Sequence, residues 1–325
     1  MGTKVRVAAF NVENLFNRYA LLDQPWQGRD YEQLVMAVDL ASVAGRDGSL
    51  VSYETTKIQR NNTAEVILEA EPDILVVSEV ENIYTLRIFN HDYLSDFFDQ
   101  IILLDGNDPR GIDVGLMLRK GFKGRVDAIR THVDEVKPGA TGSVTRGSRR
   151  GFGYLAHKAL FSRDCLEVDV AIDSNRLCVL CNHLKSQDGK PASNTRREAQ
   201  ADRVLALFTA ARKNRLPLVV GDLNADVDRK SKAAQSIRSL VNGEGVIDTF
   251  AKIKDRWTHF YESESSVSRL DYILVDKRLS FGNHNIVRHG LSKRCKQHPG
   301  PRYPTVSYQH TEASDHCLLA VDLDV

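Results

Sequence analysis

No stretch of this chain approaches the ~20 consecutive apolar residues that cross a bilayer. The opening Met1-Gly-Thr-Lys-Val-Arg-Val-Ala-Ala-Phe10 lacks the apolar centre of a secretory leader and runs directly into a strand-like pattern. Internal repeats, low-complexity tracts and linkers rich in proline, glycine and serine are missing too. Their absence argues against solenoids and disordered arrays and favours a single domain over residues 1–325. Charge of one sign is not in excess: 44 basic residues stand against 43 acidic ones, a net charge of +1. Bulk charge therefore identifies no partner, and only local clustering can. Cysteine is scarce, and the five present are an odd number, which does not read as a disulfide framework. Cys178 and Cys181 have metal-site spacing, but Arg176–His183 reads as a strand, whose residues i and i+3 face opposite sides. Buried packing is the expectation for both. A reduced, intracellular (cytoplasmic) setting follows as an expectation, with loss of a trimmed leader as the alternative.

What the chain does have is a series of short apolar, β-rich runs. They are Val5–Val12, Ile74–Val80, Val114–Leu118, Leu166–Ile172, Leu177–Asn182, Leu218–Val220, Tyr272–Val275 and Leu318–Leu323. Several are nearly continuous rather than alternating, as in strands covered on both faces. Helical spacing fills the gaps: Thr56–Glu69 (with Ile58, Ala64, Val66, Ile67 and Leu68 to one side), Thr195–Ala211 and the shorter Lys232–Val241. Strands and helices interleaved over the full length predict an α/β layered domain. Two segments read as basic loops. Val136–Lys158 carries Lys137, Arg146, Arg149, Arg150 and Lys158; Gly282–Glu312 carries Arg288, Lys293, Arg294, Lys296 and Arg302. In an otherwise balanced chain, two such loops point toward a polyanion surface.

Polar side chains stand at or near the ends of the apolar runs. In chain order they are Phe10-Asn11-Val-Glu-Asn-Leu-Phe16, Ser78-Glu79, Arg110-Gly-Ile-Asp113, Asn182-His183-Leu-Lys185-Ser186, Gly221-Asp222-Leu-Asn224, Arg269-Leu-Asp271-Tyr, and Ser314-Asp315-His316. A carboxylate leaving an apolar run is costly unless an ion or hydrogen bonds meet it. Oxygen ligands for a hard divalent ion, an Asp and Asn beside a water, and a His paired with an Asp together suit hydrolysis of a phosphate ester.

As an ordered set the motifs resemble the endonuclease/exonuclease/phosphatase superfamily over essentially the whole chain. The resemblance implies a DNase I-like fold: an α/β four-layer sandwich of two packed mixed β-sheets flanked by helices. It implies a Mg²⁺ ion, with Mn²⁺ a plausible substitute, at Glu79, Asn11 and Asp315. Asp222 would orient or deprotonate the attacking water, Asn224 would hold the nucleophile or phosphate, and Asp271 would orient a cationic His316. His183 and Ser186 would face substrate oxygens beside Lys185. Arg110 would steady the phosphate and Asp113 would position it or a metal, or the two would form a structural salt bridge at a strand entry. Ser78 stands where the family usually has Gln.

The basic loops, with Arg149 and Arg150, favour a nuclease or DNA-end phosphodiesterase, with DNA ahead of RNA. Tyr303 and Tyr308 are candidates to stack on bases. An inositol-lipid phosphatase is disfavoured because Arg-Leu-Asp-Tyr replaces the Trp-Cys-Asp-Arg signature. A sphingomyelinase-like phospholipid phosphodiesterase and a binding protein on a retired catalytic fold are the remaining alternatives.

Overall fold

The computed structural model describes residues 2–15, 19–21, 50–52, 55–108, 111–139, 158–308 and 310–325. The first half contains β1 (Lys4–Leu15), β2 (Tyr19–Leu21), β3 (Leu50–Ser52), α1 (Lys57–Ala70), β4 (Ile74–Val80), α2 (Ile83–Leu94), β5 (Phe98–Leu103), β6 (Asp113–Arg119) and β7 (Arg125–Arg130). The second half contains β8 (Cys165–Ile172), β9 (Asn175–His183), α3 (Pro191–Ala211), β10 (Leu216–Asp222), α4 (Lys232–Gln235) and α5 (Arg238–Val241). These are followed by β11 (Val246–Asp248), β12 (His259–Tyr261), β13 (Ser266–Ser268), β14 (Asp271–Asp276), β15 (Ser280–Val287) and β16 (Leu318–Asp324).

Two six-stranded sheets result, ordered β15-β16-β1-β4-β6-β5 and β11-β14-β10-β9-β8-β7. Both are mixed, because β1 runs parallel to β4 and β9 parallel to β10 while the remaining pairs are antiparallel. The pleat sorts side chains by parity. Val5, Val7 and Ala9 of β1, Ile74 and Val76 of β4, Val179 and Cys181 of β9, Val220 of β10 and Ile273 of β14 fill one apolar layer between the sheets. The alternate residues of the first sheet, such as Ala8, Phe10, Leu75 and Val77, pack against α1 and α2. Those of the second, such as Cys178, Leu180, Val219 and Leu274, pack against α3. The architecture is the four-layer α/β sandwich expected from the sequence.

All eight apolar runs are inner strands. The elements not foreseen are α2, the two short ribbons β2-β3 and β12-β13, and the four sheet edges β5, β7, β11 and β15. Consequently Gly282–Glu312 is not loop throughout, since its first six residues belong to β15. The helix α1 opens with a capping box between Thr56 and Gln59, but Ile58, assigned above to its apolar side, is 45% exposed. Pro191 starts α3 one turn earlier than the apolar spacing suggested. The Lys232–Val241 stretch divides at Ser236–Ile237 into α4 and α5. Cys178 and Cys181 do face opposite sides of β9, and all five cysteines are buried free thiols. Among the described residues, no helix is long and apolar enough to cross a membrane.

Candidate active site

The parity that builds the inter-sheet layer also builds the site. Asn11 continues the series Val7, Ala9; His183 continues Val179, Cys181; Asp222 continues Leu218, Val220; and Asp271 precedes Ile273, Val275. Polar side chains thus form the terminal row of an apolar layer, at one end of four neighbouring strands. Glu79 departs from this rule. Strict alternation would send it to the helix side with Leu75 and Val77. Instead its backbone is left-handed (φ 67°), and the register on both neighbours shifts around it. The turn brings Glu79 Oε1 to 3.7 Å from Nε2 of His183 on the other sheet.

Asp222 lies at the centre. Its Oδ1 accepts from the Asn224 backbone N–H at 2.7 Å, and its Oδ2 accepts from Nδ2 of Asn224 at 3.0 Å and of Asn11 at 3.2 Å. Nε2 of His183 is 3.5 Å from that same oxygen and Nε2 of His316 is 4.0 Å away. Asn224 is also left-handed (φ 55°), which folds its amide back onto Asp222. Two close contacts fix this corner. Gly221 (φ 130°) lies so near β9 that a Cβ would sit 2.1 Å from the Asn182 carbonyl oxygen. Tyr272 donates to the Ala225 carbonyl at 2.9 Å, holding the chain just beyond Asn224.

His316 is braced from behind. Its Nδ1 is 2.8 Å from Asp271 Oδ2, which also accepts from Thr258 Oγ1 at 2.7 Å. The Ser314 hydroxyl donates to the Asn11 carbonyl at 2.7 Å and accepts from the His316 backbone N–H at 3.0 Å, tying the last motif to the first. Burial opposes a charge on this imidazole, but the adjacent Asp271 carboxylate, with Asp315 and Asp222, holds it well above the ordinary histidine range. Burial likewise pushes the Asp222 carboxyl up to about 7, with Asp271 adding repulsion and His316 opposing it.

Around Asn11 the groups are acidic. Glu13 accepts from the Asp315 backbone N–H at 3.1 Å, and its own N–H donates to Asn11 Oδ1 at 3.1 Å. Burial, and then the charges of Asp315, Glu312 and Glu79, raise the Glu13 carboxyl well above its usual range. Mutually repelling carboxylates beside an amide oxygen are a donor set that fits a hard divalent cation.

Lys185 and Ser186 lie together on the segment after β9, with Lys185 Nζ 3.3 Å from Ser186 Oγ and 3.4 Å from Asp188. Asn224 Nδ2 binds the Leu184 carbonyl at 3.1 Å, so this segment borders the Asp222 corner. Arg197 is buried and braces it through the Lys185 carbonyl, while Arg196 is bound to the carbonyls of Ala159 and Leu160. Asp113 opens β6, opposite Val80, and its Oδ1 accepts from the Gly106 backbone N–H at 2.7 Å; burial raises it to about 8. Arg110, Arg149 and Arg150 lie outside the described residues.

In the second basic segment, Arg288 stacks on Trp257 and binds Asp255, and Arg302 binds backbone carbonyls from Leu291 to Gly300, so both serve structure. Tyr303 turns inward, packing on the helix-side core and donating to Glu69 at 2.7 Å, so it is not a free stacking platform. Tyr308 is 56% exposed, and Lys293, Arg294 and Lys296 are exposed nearby in sequence. Arg294, which pairs with Glu262, helps line a surface cleft of about 450 Å³ with Phe260, Ser263 and Ser265. The Phe260 N–H binds the Asp315 carbonyl at 2.9 Å, which joins this cleft to the site.

The sequence reading missed Glu13, Thr258 and His259. Glu13 was visible inside the first motif, whereas Thr258 and His259 lie at the start of a three-residue strand with no apolar run to mark it.

Residues 48–316 match the sequence model of the Endonuclease/Exonuclease/phosphatase family. No curated protein sequence matches. Several solved structures share the fold. An endonuclease/exonuclease/phosphatase from Bacteroides vulgatus is 15% identical, with 99% of each chain covered and a TM-score of 0.61. TDP2 from D. rerio, complexed with single strand DNA product, is 15% identical, with 99% of this chain and 100% of that chain covered and a TM-score of 0.57. The human Nocturnin catalytic domain with bound sulfate anion is 14% identical, with 99% and 96% covered and a TM-score of 0.57. Identities this low show the fold alone. The family match, spanning most of the chain, goes further: the chain belongs to the endonuclease/exonuclease/phosphatase family.

Proposed function

We propose that this chain is a divalent-metal-dependent phosphodiesterase acting on nucleic acid, with DNA the leading substrate. Members of the family are generally phosphodiesterases and nucleases and typically depend on a divalent metal. The observation that carries the reading is the convergence of Asn11, Glu79, His183, Asp222, Asn224 and the Asp271–His316 pair at one end of the inter-sheet layer.

Asp222 accepts the proton of a water as its oxygen attacks phosphorus in line with the leaving group. The Asn224 amide holds that water against Asp222. His316, kept cationic by Asp271, donates from Nε2 to a non-bridging oxygen, and His183 approaches the phosphate from the neighbouring strand. Glu79, Asn11 and Asp315 would hold a Mg²⁺ ion, with Mn²⁺ as substitute, which would supply Lewis-acid stabilisation of the leaving oxyanion. Glu13 adjoins that ligand set.

Support for nucleic acid comes from the exposed Lys293, Arg294 and Lys296, with exposed Tyr308 under the Arg294 guanidinium at 5.5 Å from its ring centre. The similar D. rerio TDP2 was solved with single strand DNA. The test is a metal-dependent activity panel on supercoiled plasmid, single-stranded DNA, RNA, a 5′-tyrosyl oligonucleotide and a choline phospholipid. Cleavage of DNA is expected, with Asp222→Asn and His316→Ala each losing ~10²–10⁴-fold. Turnover of the phospholipid alone would sink the nucleic-acid reading. Absence of metal-dependent turnover on every substrate would sink the enzyme reading.

A further inference from the structure

His259 has no part in the chemistry above, yet it lies directly against His316 and Asp315. It opens the short strand β12, outside both large sheets, and its backbone forms an antiparallel bridge with His316. The two imidazole rings are 4.7 Å apart and tilted by 52°. The Asp315 carboxylate spans them, with Oδ2 3.5 Å from Nε2 of His259 and Oδ1 3.9 Å from Nε2 of His316. One nitrogen or oxygen from each of the three side chains lies within 4.8 Å of the other two.

The opposite edges of both rings are already engaged. His316 Nδ1 is held by Asp271 at 2.8 Å, and His259 Nδ1 is 3.3 Å from Ser268 Oγ. A histidine that binds a metal through one nitrogen is generally fixed by a hydrogen bond at the other, which sets its tautomer and aims the ring. Both imidazoles show that arrangement, and both point Nε2 at the same carboxylate. Tetrahedral coordination at Zn–N and Zn–O lengths near 2.0–2.1 Å separates neighbouring ligand atoms by about 3.3–3.4 Å. The gap of 3.5 Å from His259 to Asp315 Oδ2 is near that edge length, and the gap of 3.9 Å from His316 to Oδ1 is longer, so a bound ion would draw the carboxylate toward His316.

We propose that His259, Asp315 and His316 form a binding site for a borderline divalent transition-metal ion such as Zn²⁺ or Co²⁺. The two imidazoles separate it in ligand class from the Glu79 centre, with which it shares Asp315. Oxygen donors suit Mg²⁺, whereas two imidazoles and one carboxylate suit zinc-type ions, which would take a water as fourth ligand. Antagonism follows. His316 Nε2 cannot carry a proton and a metal ion together, so occupancy of this site and the hydrogen bond that His316 donates to the phosphate above exclude each other. That antagonism rests on the hydrolytic reading, but the binding site does not.

The test is Co²⁺ titration of the whole chain, stripped of metal and followed by visible absorption, with Zn²⁺ calorimetry alongside. The wild-type protein is expected to give the intense bands of low-coordinate, nitrogen-ligated Co²⁺ and to bind Zn²⁺ with release of a proton. His259→Ala should weaken both ions by at least the ~10–100-fold typical of losing a metal ligand's hydrogen-bonding support, and Ser268→Ala by about tenfold. Mg²⁺ binding should persist in both variants. His259→Gln serves as the second variant should His259→Ala fail to fold. The inference is overturned if a folded His259 variant binds Co²⁺ with the wild-type affinity and spectrum. It is equally overturned if the wild-type spectrum is the weak six-coordinate kind and disappears in Glu79→Gln. Intact Mg²⁺-dependent hydrolysis with no Co²⁺ site would remove this inference and leave the proposed function standing. A Co²⁺ site in a protein without hydrolytic activity would do the reverse.

Discussion

Among single residues, Asp271 shows how a buried group acts through a neighbour. It has no path to a substrate of its own, being covered by Thr258 and His316. Its carboxylate keeps His316 charged well above the usual histidine range. A group raised in this way holds its proton through neutral pH and loses it only on the alkaline side. Turnover that needs the charged imidazole should therefore persist at neutrality, and Asp271→Asn should move the alkaline limb of the pH–rate profile to lower pH. An unmoved limb would mean that Asp271 serves packing alone. Sequence alone pointed to Asp271 and His316 through their motifs. It could not show that Thr258 accepts the N–H groups of Leu270 and Asp271 and locks the pair, because that contact joins a short ribbon to a strand more than ten residues further on. Arg269, read within the same motif, proves to be a buried brace, paired to Asp248 by two bonds of 2.7 and 2.6 Å and stacked on Tyr272.

For elements, the boundary between legible and hidden is physical. Inner strands are covered on both faces and paired on both edges, so their residues run apolar and stand out. The edge strands β5, β7, β11 and β15 meet water along one side and mix polar with apolar residues, as Arg125–Arg130 does with an almost wholly exposed or half-buried run. The site motifs were readable because they stand at the ends of inner strands. Glu79 needed the bulge as well, which no periodicity announces. The approach of β10 to β9 depends on Gly221. Gly221→Ala would force a Cβ into the Asn182 carbonyl at a φ of 130°, costing roughly 2–4 kcal/mol and displacing Asp222. Denaturant unfolding and kcat should both fall. A variant with unchanged midpoint and rate would show that the strands can separate there without penalty.

For the molecule as a whole, two charge systems lie apart. On the outer face of the second sheet, Arg130 and Arg215 each bind both Glu167 and Asp169. His132 joins Glu167 to Glu135, which is paired in turn with Arg203. Burial works against these charges, but hydrogen bonds to the partners depress Glu135 and Glu167 to about 2 and lift His132 to about 9. The carboxylate contribution to stability is full above their ordinary value and disappears as pH falls from about 4.5 through about 2. The His132 contribution is full below about 6.5 and disappears as pH rises through about 9. His132→Gln should thus lower the melting temperature at neutral pH and match the wild-type protein above pH ~9, a difference on the order of 1–3 kcal/mol at its largest. An equal deficit at every pH would assign His132 to packing.

The other system is the basic turn near the cleft. Charge reversal at Lys293 and Lys296 should weaken DNA binding and flatten its dependence on salt, by a slope of ~0.9 for each duplex phosphate left without its cation. An unchanged slope would place the DNA elsewhere.

Four of the site's side chains, Asn11, His183, Asp222 and Asp271, are the last row of the layer that holds the two sheets together. Their spacing is therefore set by the buried packing between the sheets. What surrounds them is of another kind: a three-residue ribbon, a basic turn and surface loops whose removal would leave that layer intact. Such a frame can acquire a new target by rewriting its rim alone, while the polar row stays where the pleat put it.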